Sequence, residues 1–70
     1  MNGKQPHALR AAPFYIVGHL HGQGVSRSDA IASFADAAVQ RKVLADSTRL
    51  SYVVSDSRDN IVVDAQGREL

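Results

Sequence analysis

Hydrophobic residues follow two different spacings along the chain, and the change falls between residues 44 and 50. Over residues 30–39 they recur every three or four positions, which is the period of an amphipathic helix. After residue 49 the larger apolar residues occupy every second position, with Leu50, Tyr52 and Val54 alternating with Ser51, Val53 and Ser55. The pattern therefore predicts a helix followed by a strand with one buried face.

The predicted helix begins near Ser26. Asp29 follows Ser26 by three positions, which resembles a capping box with a shorter acid than usual. The acid early in the helix, with Arg41 and Lys42 late, also suits the helix dipole. The apolar face of this helix would carry Ala30, Ile31, Phe34, Ala35, Ala38 and Val39. Residues 45–48 are predicted to be a loop.

The segment 6–23 allows two interpretations. As a helix it places Leu9, Pro13, Ile16, Val17 and Leu20 on one stripe, with Gly24 as the residue that ends it. As a strand, residues 14–17 are β-prone and alternate between two faces. We favour a helix that begins near Pro13, because proline fits the first turn of a helix.

A second β-prone run follows the first strand after a turn. Residues 56–60 (Asp-Ser-Arg-Asp-Asn) have turn chemistry, and Ile61, Val62 and Val63 resume the strand pattern. The two runs are predicted to pair as an antiparallel hairpin. Residues 64–67 form a further predicted turn, which leaves residues 68–70 as a tail or a last bridge.

These elements define an α+β fold class. Two helices followed by a β-hairpin give a winged-helix-like arrangement, and the strand interpretation of the first segment gives β-α-β-β as the alternative. The chain has 70 residues, enough for one small domain. We expect residues 1–5 to form a loose arm and residues 6–70 to form the domain.

Composition excludes several classes of protein. The net charge of +1 fits neither a nucleic-acid mimic nor a strongly basic packaging protein. Cysteine is absent, so disulfides and thiolate chemistry are excluded. We find no tripartite signal sequence and no long apolar run, so we expect a cytoplasmic protein that does not enter a membrane.

Candidate chemistry is sparse. His19 and His21 would share a face on a strand but diverge on a helix, and with His7 they have no nearby carboxylate to complete a metal site. No serine lies in a nucleophile elbow, and no glycine-rich phosphate loop is present. We therefore expect no catalysis, no metal and no cofactor or small-molecule substrate. Any role of the three histidines stays open.

Our first hypothesis is a small protein-binding module of the inhibitor or adaptor type, which occludes a partner protein. A core this small is marginally stable and gains from a partner, either another protein or a second copy. The predicted hairpin presents an edge that could add to another sheet. The residues of this edge are Tyr52, Val53, Ile61, Val62 and Val63. The size also suits a factor encoded by a phage or another mobile element.

The alternative hypothesis is a small DNA-binding transcriptional regulator, acting as a dimer on duplex DNA. Two helices joined by a turn containing Gly24, Val25 and Ser26 resemble a helix-turn-helix, and the hairpin resembles a wing. In this arrangement the residues that contact DNA would be Arg27, Ser28, Arg41, Lys42 and Arg58.

Overall fold

One helix and four antiparallel strands make up residues 10–70, the part of the chain that this computed structural model describes. In chain order they are β1 (Tyr15–Leu20), β2 (Gln23–Arg27), α1 (Phe34–Ser47), β3 (Ser51–Ser55) and β4 (Ile61–Val63). The strands form one sheet in the order β2-β1-β3-β4. The α+β class is confirmed, whereas a helix pair with a wing is not found among these residues. The predicted arm, residues 1–5, lies outside them.

The preferred interpretation of the first segment as a helix is wrong, because residues 15–20 form strand β1. Its two neighbours in the sheet, β2 and β3, satisfy its backbone groups on both sides. His21 and Gly22 connect it to β2 with φ angles of 52° and 81°. Two left-handed residues in succession are typical of the tight turns that join antiparallel strands. Gly24 therefore lies in β2 and does not end a helix.

The predicted helix exists, but it begins at Phe34 and not near Ser26. Ser33 is the N-cap, and its Oγ accepts a hydrogen bond of 3.2 Å from the N–H of Asp36. The stretch before it stays extended, since Phe14 and Ile31 exchange two backbone hydrogen bonds of 2.7 and 2.8 Å. The predicted loop at 45–48 is also wrong in part, because α1 continues to Ser47.

The core lies between α1 and one face of the sheet. Its buried apolar residues are Phe14, Ile16, Ala37, Tyr52, Val54, Val62 and Val63. Fully burying a Phe, Ile or Val side chain contributes about 1.5–3 kcal/mol. The inward face of the helix matches the predicted one in part: Phe34 packs against the core as expected, but Ala37 is fully buried and Val39 is 63% exposed. The inward face includes the charged Arg41, which the hydrophobic pattern could not place there.

The predicted hairpin is confirmed. Strands β3 and β4 pair antiparallel, and residues 56–60 form the turn between them. A second turn ends at Gly67, where φ is 84° and the N–H donates to the carbonyl of Asp64. Glu69 then forms a bridge with Val63, so residues 68–70 include the expected last bridge. Within residues 10–70, α1 is too short and too polar to cross a lipid bilayer.

Close packing at Gly18 joins the three strands β2, β1 and β3. A Cβ atom at this position would lie 2.5 Å from the Oγ of Ser26 and 2.9 Å from Cε1 of Tyr52. Those distances are shorter than any comfortable van der Waals contact. A side chain at residue 18 would therefore push both neighbours apart.

We expect Gly18→Ala to lower the free energy of unfolding by about 1–3 kcal/mol, the usual cost of overpacking. Gly24→Ala is the matched control, since its Cβ would meet nothing closer than 3.8 Å. The control should change stability by less than about 0.5 kcal/mol. Urea denaturation followed by circular dichroism measures both, and equal effects of the two substitutions would contradict the packing argument.

Candidate protein-interaction site

The face of the sheet opposite α1 is covered by no other element among residues 10–70. We call it the open face. Strand alternation and the pairing registers place on it Tyr15, Val17, His19, Arg27, Val53 and Ile61. Arg27 lies opposite Val17, and Val17 lies opposite Val53, so three strands contribute to one row across the sheet. Directly opposed side chains such as these interact with one another.

A groove of about 200 Å³ runs over the middle of the open face. Val17, Val53 and Ile61 provide its apolar lining, and Asp59 in the β3–β4 turn also lines it. Val53 is 9% exposed and forms the floor, whereas Ile61 on the rim is 50% exposed. The groove therefore combines a packed apolar floor with an accessible rim.

At the other end of the open face, Arg27 stacks on Tyr15. The guanidinium carbon lies 4.1 Å from the centroid of the ring. A stacked guanidinium keeps its N–H edges available for hydrogen bonds. Among residues 10–70, Arg27 forms no ion pair with a carboxylate.

Within residues 10–70, strand β2 is a free edge of the sheet. Among these residues it pairs only with β1, and all five residues of β2 are exposed. Two apolar side chains of the hairpin formed by β1 and β2 are accessible: Val25 is 53% exposed and Leu20 is 44% exposed. A bulge opposite Gly18 and His19 interrupts the register. The bulge limits the number of consecutive backbone hydrogen bonds that the outer side of β2 can form with another strand.

The edge predicted from the sequence lies at the opposite side of the sheet and is partly covered. The N–H of Leu70 donates to the carbonyl of Val62 at 2.9 Å, so residues 68–70 occupy the outer side of β4. Of the five residues predicted for this edge, three belong to the core: Tyr52, Val62 and Val63. The other two, Val53 and Ile61, lie on the open face.

The residues proposed to contact DNA do not share one surface. Arg27 lies on the open face, whereas Lys42 lies on α1, on the other side of the sheet, and pairs with Asp46 at 3.0 Å. Arg58 is in the β3–β4 turn. Ser28 is held by hydrogen bonds, since its Oγ accepts from the N–H of Ile16 and donates to the Asp29 carbonyl.

Arg41 is the fifth residue proposed to contact DNA. It is buried and has a structural role, which the sequence did not predict. It is 7% exposed, and its Nη1 donates to the carbonyls of Tyr52 at 3.1 Å and Ala65 at 3.3 Å. It therefore connects α1 with β3 and the C-terminal turn. A cationic residue committed to two internal carbonyls is a poor ligand for a phosphate.

The two histidines that the structure describes lie in different elements. His19 lies on the open face beside the groove, and His21 is in the β1–β2 turn. His7 lies outside the described residues. Within residues 10–70, no three side chains of the metal-binding types lie close enough together to hold an ion.

The Asp56 carboxylate orders the turn that carries Asp59. Its Oδ1 accepts hydrogen bonds from the N–H groups of Arg58 at 2.9 Å and Asn60 at 3.0 Å. Burial by itself would raise the pKa of Asp56. Hydrogen bonds from the backbone N–H groups of Asn60 and Arg58, with smaller contributions from the Asn60 side chain and the Ala11 N–H, lower that pKa below the ordinary value of an aspartate.

Comparisons with known proteins give no relative: no family model, no curated protein and no solved structure matches the chain.

We expect Asp56→Asn to lower the free energy of unfolding near pH 7 by about 1–3 kcal/mol, because an amide oxygen accepts weaker hydrogen bonds than a carboxylate. The folded-state pKa of Asp56 lies below the unfolded value. Its contribution is therefore complete above about pH 4 and is lost as the pH falls through the folded pKa. Urea denaturation should show the difference between wild type and variant narrowing as the pH falls below about 4 and through the folded pKa.

The control is Asp46→Asn, which removes only an exposed ion pair with Lys42. It should change stability by less than about 0.5 kcal/mol at any pH. The pKa of Asp64 is also lowered, chiefly by a hydrogen bond from the backbone N–H of Arg68, but it contributes equally to both proteins. A difference for Asp56→Asn that does not narrow at all as the pH falls below about 4 would refute the assignment.

Proposed function

We propose that the chain is a small, non-enzymatic protein-binding module of the inhibitor or adaptor type. Its binding element is the β1–β2 hairpin, and its partner is a protein that lays an extended apolar segment along β2. The observation that carries the proposal is that all five residues of β2 are exposed, on a strand whose outer side is paired with nothing in residues 10–70.

An unpaired strand edge favours the addition of another strand, because its backbone N–H and C=O groups are already held in the extended conformation. Proteins commonly protect such edges with lysine, proline or inward-pointing charges. Strand β2 has the sequence Gln-Gly-Val-Ser-Arg, with one charge at its end. Its other protective feature is the bulge.

Side-chain contacts supply the rest of the binding energy. Leu20 and Val25 are exposed apolar groups on the same hairpin. Burying each against a partner contributes on the order of 1–2 kcal/mol. Because the bulge shortens the backbone ladder, these two side chains decide which segments bind well. The partner segment is therefore expected to be apolar as well as extended.

We expect Val25→Asp to weaken capture of the partner at least tenfold, since it places a carboxylate where an apolar contact forms. The matched control is Val39→Asp, which changes a 63% exposed valine on α1, away from β2. Affinity capture from lysate with and without nuclease treatment, compared among wild type and the two variants, gives the measurement.

A protein retained in stoichiometric amount by wild type and Val39→Asp, and lost with Val25→Asp, supports the proposal. Equal retention by all three proteins would place the interaction elsewhere and overturn it. Recovery of duplex DNA alone, lost on nuclease treatment and at raised salt, would favour a DNA-binding regulator instead.

A further inference from the structure

We propose that a cleft between α1 and the C-terminal turn binds a small aliphatic monocarboxylate, whose charge is matched by the buried guanidinium of Arg41. The cleft has a volume of about 270 Å³ and is lined by residues of α1, of β4 and of the chain that follows β4. It lies at the opposite side of the sheet from β2. The site is therefore independent of the proposed protein-binding function.

Arg41 is a buried cation without a counter-ion in the part of the chain that the structure describes. It is 7% exposed, and a guanidinium stays protonated in proteins. The ion pairs within residues 10–70 involve Arg10, Lys42 and Arg68, and none involves Arg41. A buried charge is costly unless an opposite charge accompanies it. The carbonyls that Arg41 binds supply dipoles but no charge, so an external anion would complete the site.

Part of this guanidinium is still available to a ligand. Nη1 is committed to the carbonyls of Tyr52 and Ala65, whereas Nη2 and Nε form no hydrogen bond within residues 10–70. Neither of the two is fully buried, so both keep contact with solvent. A Cβ at Gly67 would lie 3.0 Å from Nη2, which places this donor beside a residue that lines the cleft. Two N–H donors of one guanidinium fit the two oxygens of a carboxylate.

The charges around the cleft select a ligand with a single negative charge. Arg41 and Lys42 bring two positive charges to the lining, and Glu69 brings one negative charge. Glu69 pairs with Arg10 at 3.1 Å, and Lys42 pairs with Asp46 at 3.0 Å. The net charge is +1 for the lining alone and also +1 for these five side chains together. A carboxylate matches that charge, whereas a phosphomonoester carries about −1.5 to −2 at pH 7.

The apolar part of the lining accounts for the aliphatic part of the ligand. Val63 is 2% exposed and belongs to the core, and Ala38 on α1 contributes only a methyl group. A volume of about 270 Å³ corresponds to about nine water molecules, enough for a ligand of about six non-hydrogen atoms. For a ligand of that size we expect a dissociation constant on the order of 1 mM.

Butyrate is the probe, and two-dimensional proton–nitrogen NMR of the full chain reports where it binds. At constant pH and ionic strength, the amide signal of Gly67 should shift and saturate, with its midpoint on the order of 1 mM. The amide signal of Gly24, at the opposite edge of the sheet, should not move. Butyramide keeps the shape of the ligand without its charge and should bind about tenfold more weakly or worse. Propyl phosphate, with the same alkyl chain, should also bind more weakly than butyrate.

Variants that leave Arg41 in place test the cleft, because substituting Arg41 would also break two internal hydrogen bonds. Ala38→Leu fills the cleft and should weaken butyrate binding about tenfold or more. Ala35→Leu is the matched control, since Ala35 is exposed on α1 and does not line the cleft. Lys42→Gln removes one positive charge and should weaken binding about threefold. Arg49→Gln makes the same change in the exposed α1–β3 loop and should have no effect.

Saturable binding of butyrate at Gly67, lost with Ala38→Leu and retained with Ala35→Leu, supports the proposal. Shifts that stay linear up to about 50 mM butyrate, or that are as large at Gly24 as at Gly67, would overturn it. Unchanged binding by Ala38→Leu would also overturn it, as would propyl phosphate binding as tightly as butyrate. Partner capture by β2 is measured separately with Val25→Asp, so these results leave the hairpin proposal untouched.

Discussion

A single helix packs on a four-stranded sheet, and the surfaces of this protein follow from how little of the sheet it covers. Fourteen residues form a helix about 21 Å long and 10 Å wide. It lies over β3 and β1. Within residues 10–70, no second layer packs against the opposite face. The open face and the exposed strand β2 are both consequences of that asymmetry.

The buried guanidinium of Arg41 decides which edge of the sheet stays free. Its hydrogen bonds to the carbonyls of Tyr52 and Ala65 hold the C-terminal turn against α1 and β3. Gly67 permits the close approach, since a Cβ there would lie 3.0 Å from Nη2 of Arg41. The chain beyond this turn then pairs with β4, where the N–H of Leu70 reaches Val62. Edge β4 is thereby partly covered, whereas no segment of residues 10–70 covers the outer side of β2.

The sequence predicted the α+β class, the presence of a helix before the hairpin and the hairpin itself. It misplaced the start of α1 because Ser33 and Asp36 repeat the spacing of Ser26 and Asp29. Local capping chemistry cannot choose between two equal signals. Tertiary contacts decide where the helix starts, because the backbone pairing of Phe14 with Ile31 keeps the chain just before α1 from joining the helix.

Strand β2 was missed for a different reason. An edge strand exposed on both faces has no hydrophobic alternation to detect, and the sequence of β2 has none. The orientation of α1 was missed because Arg41 occupies an inward position that the apolar pattern assigns to solvent. Both errors have one origin: pattern reading assumes that buried residues are apolar and that ordered strands are half-buried.

The candidate site was predictable only as separate residues. Val53 and Ile61 follow from β-propensity, but their grouping with Val17 and Arg27 depends on the register between β1 and its two neighbours. A shift of one residue would turn every one of these side chains to the other face. The two surfaces also differ in what limits them. The bulge shortens the ladder on β2, so recognition there depends on a few side chains. The open face contains the shift in the β3–β4 register at Val54/Ser55, so the position of Ile61 relative to Val17 and Val53 depends on that bulge.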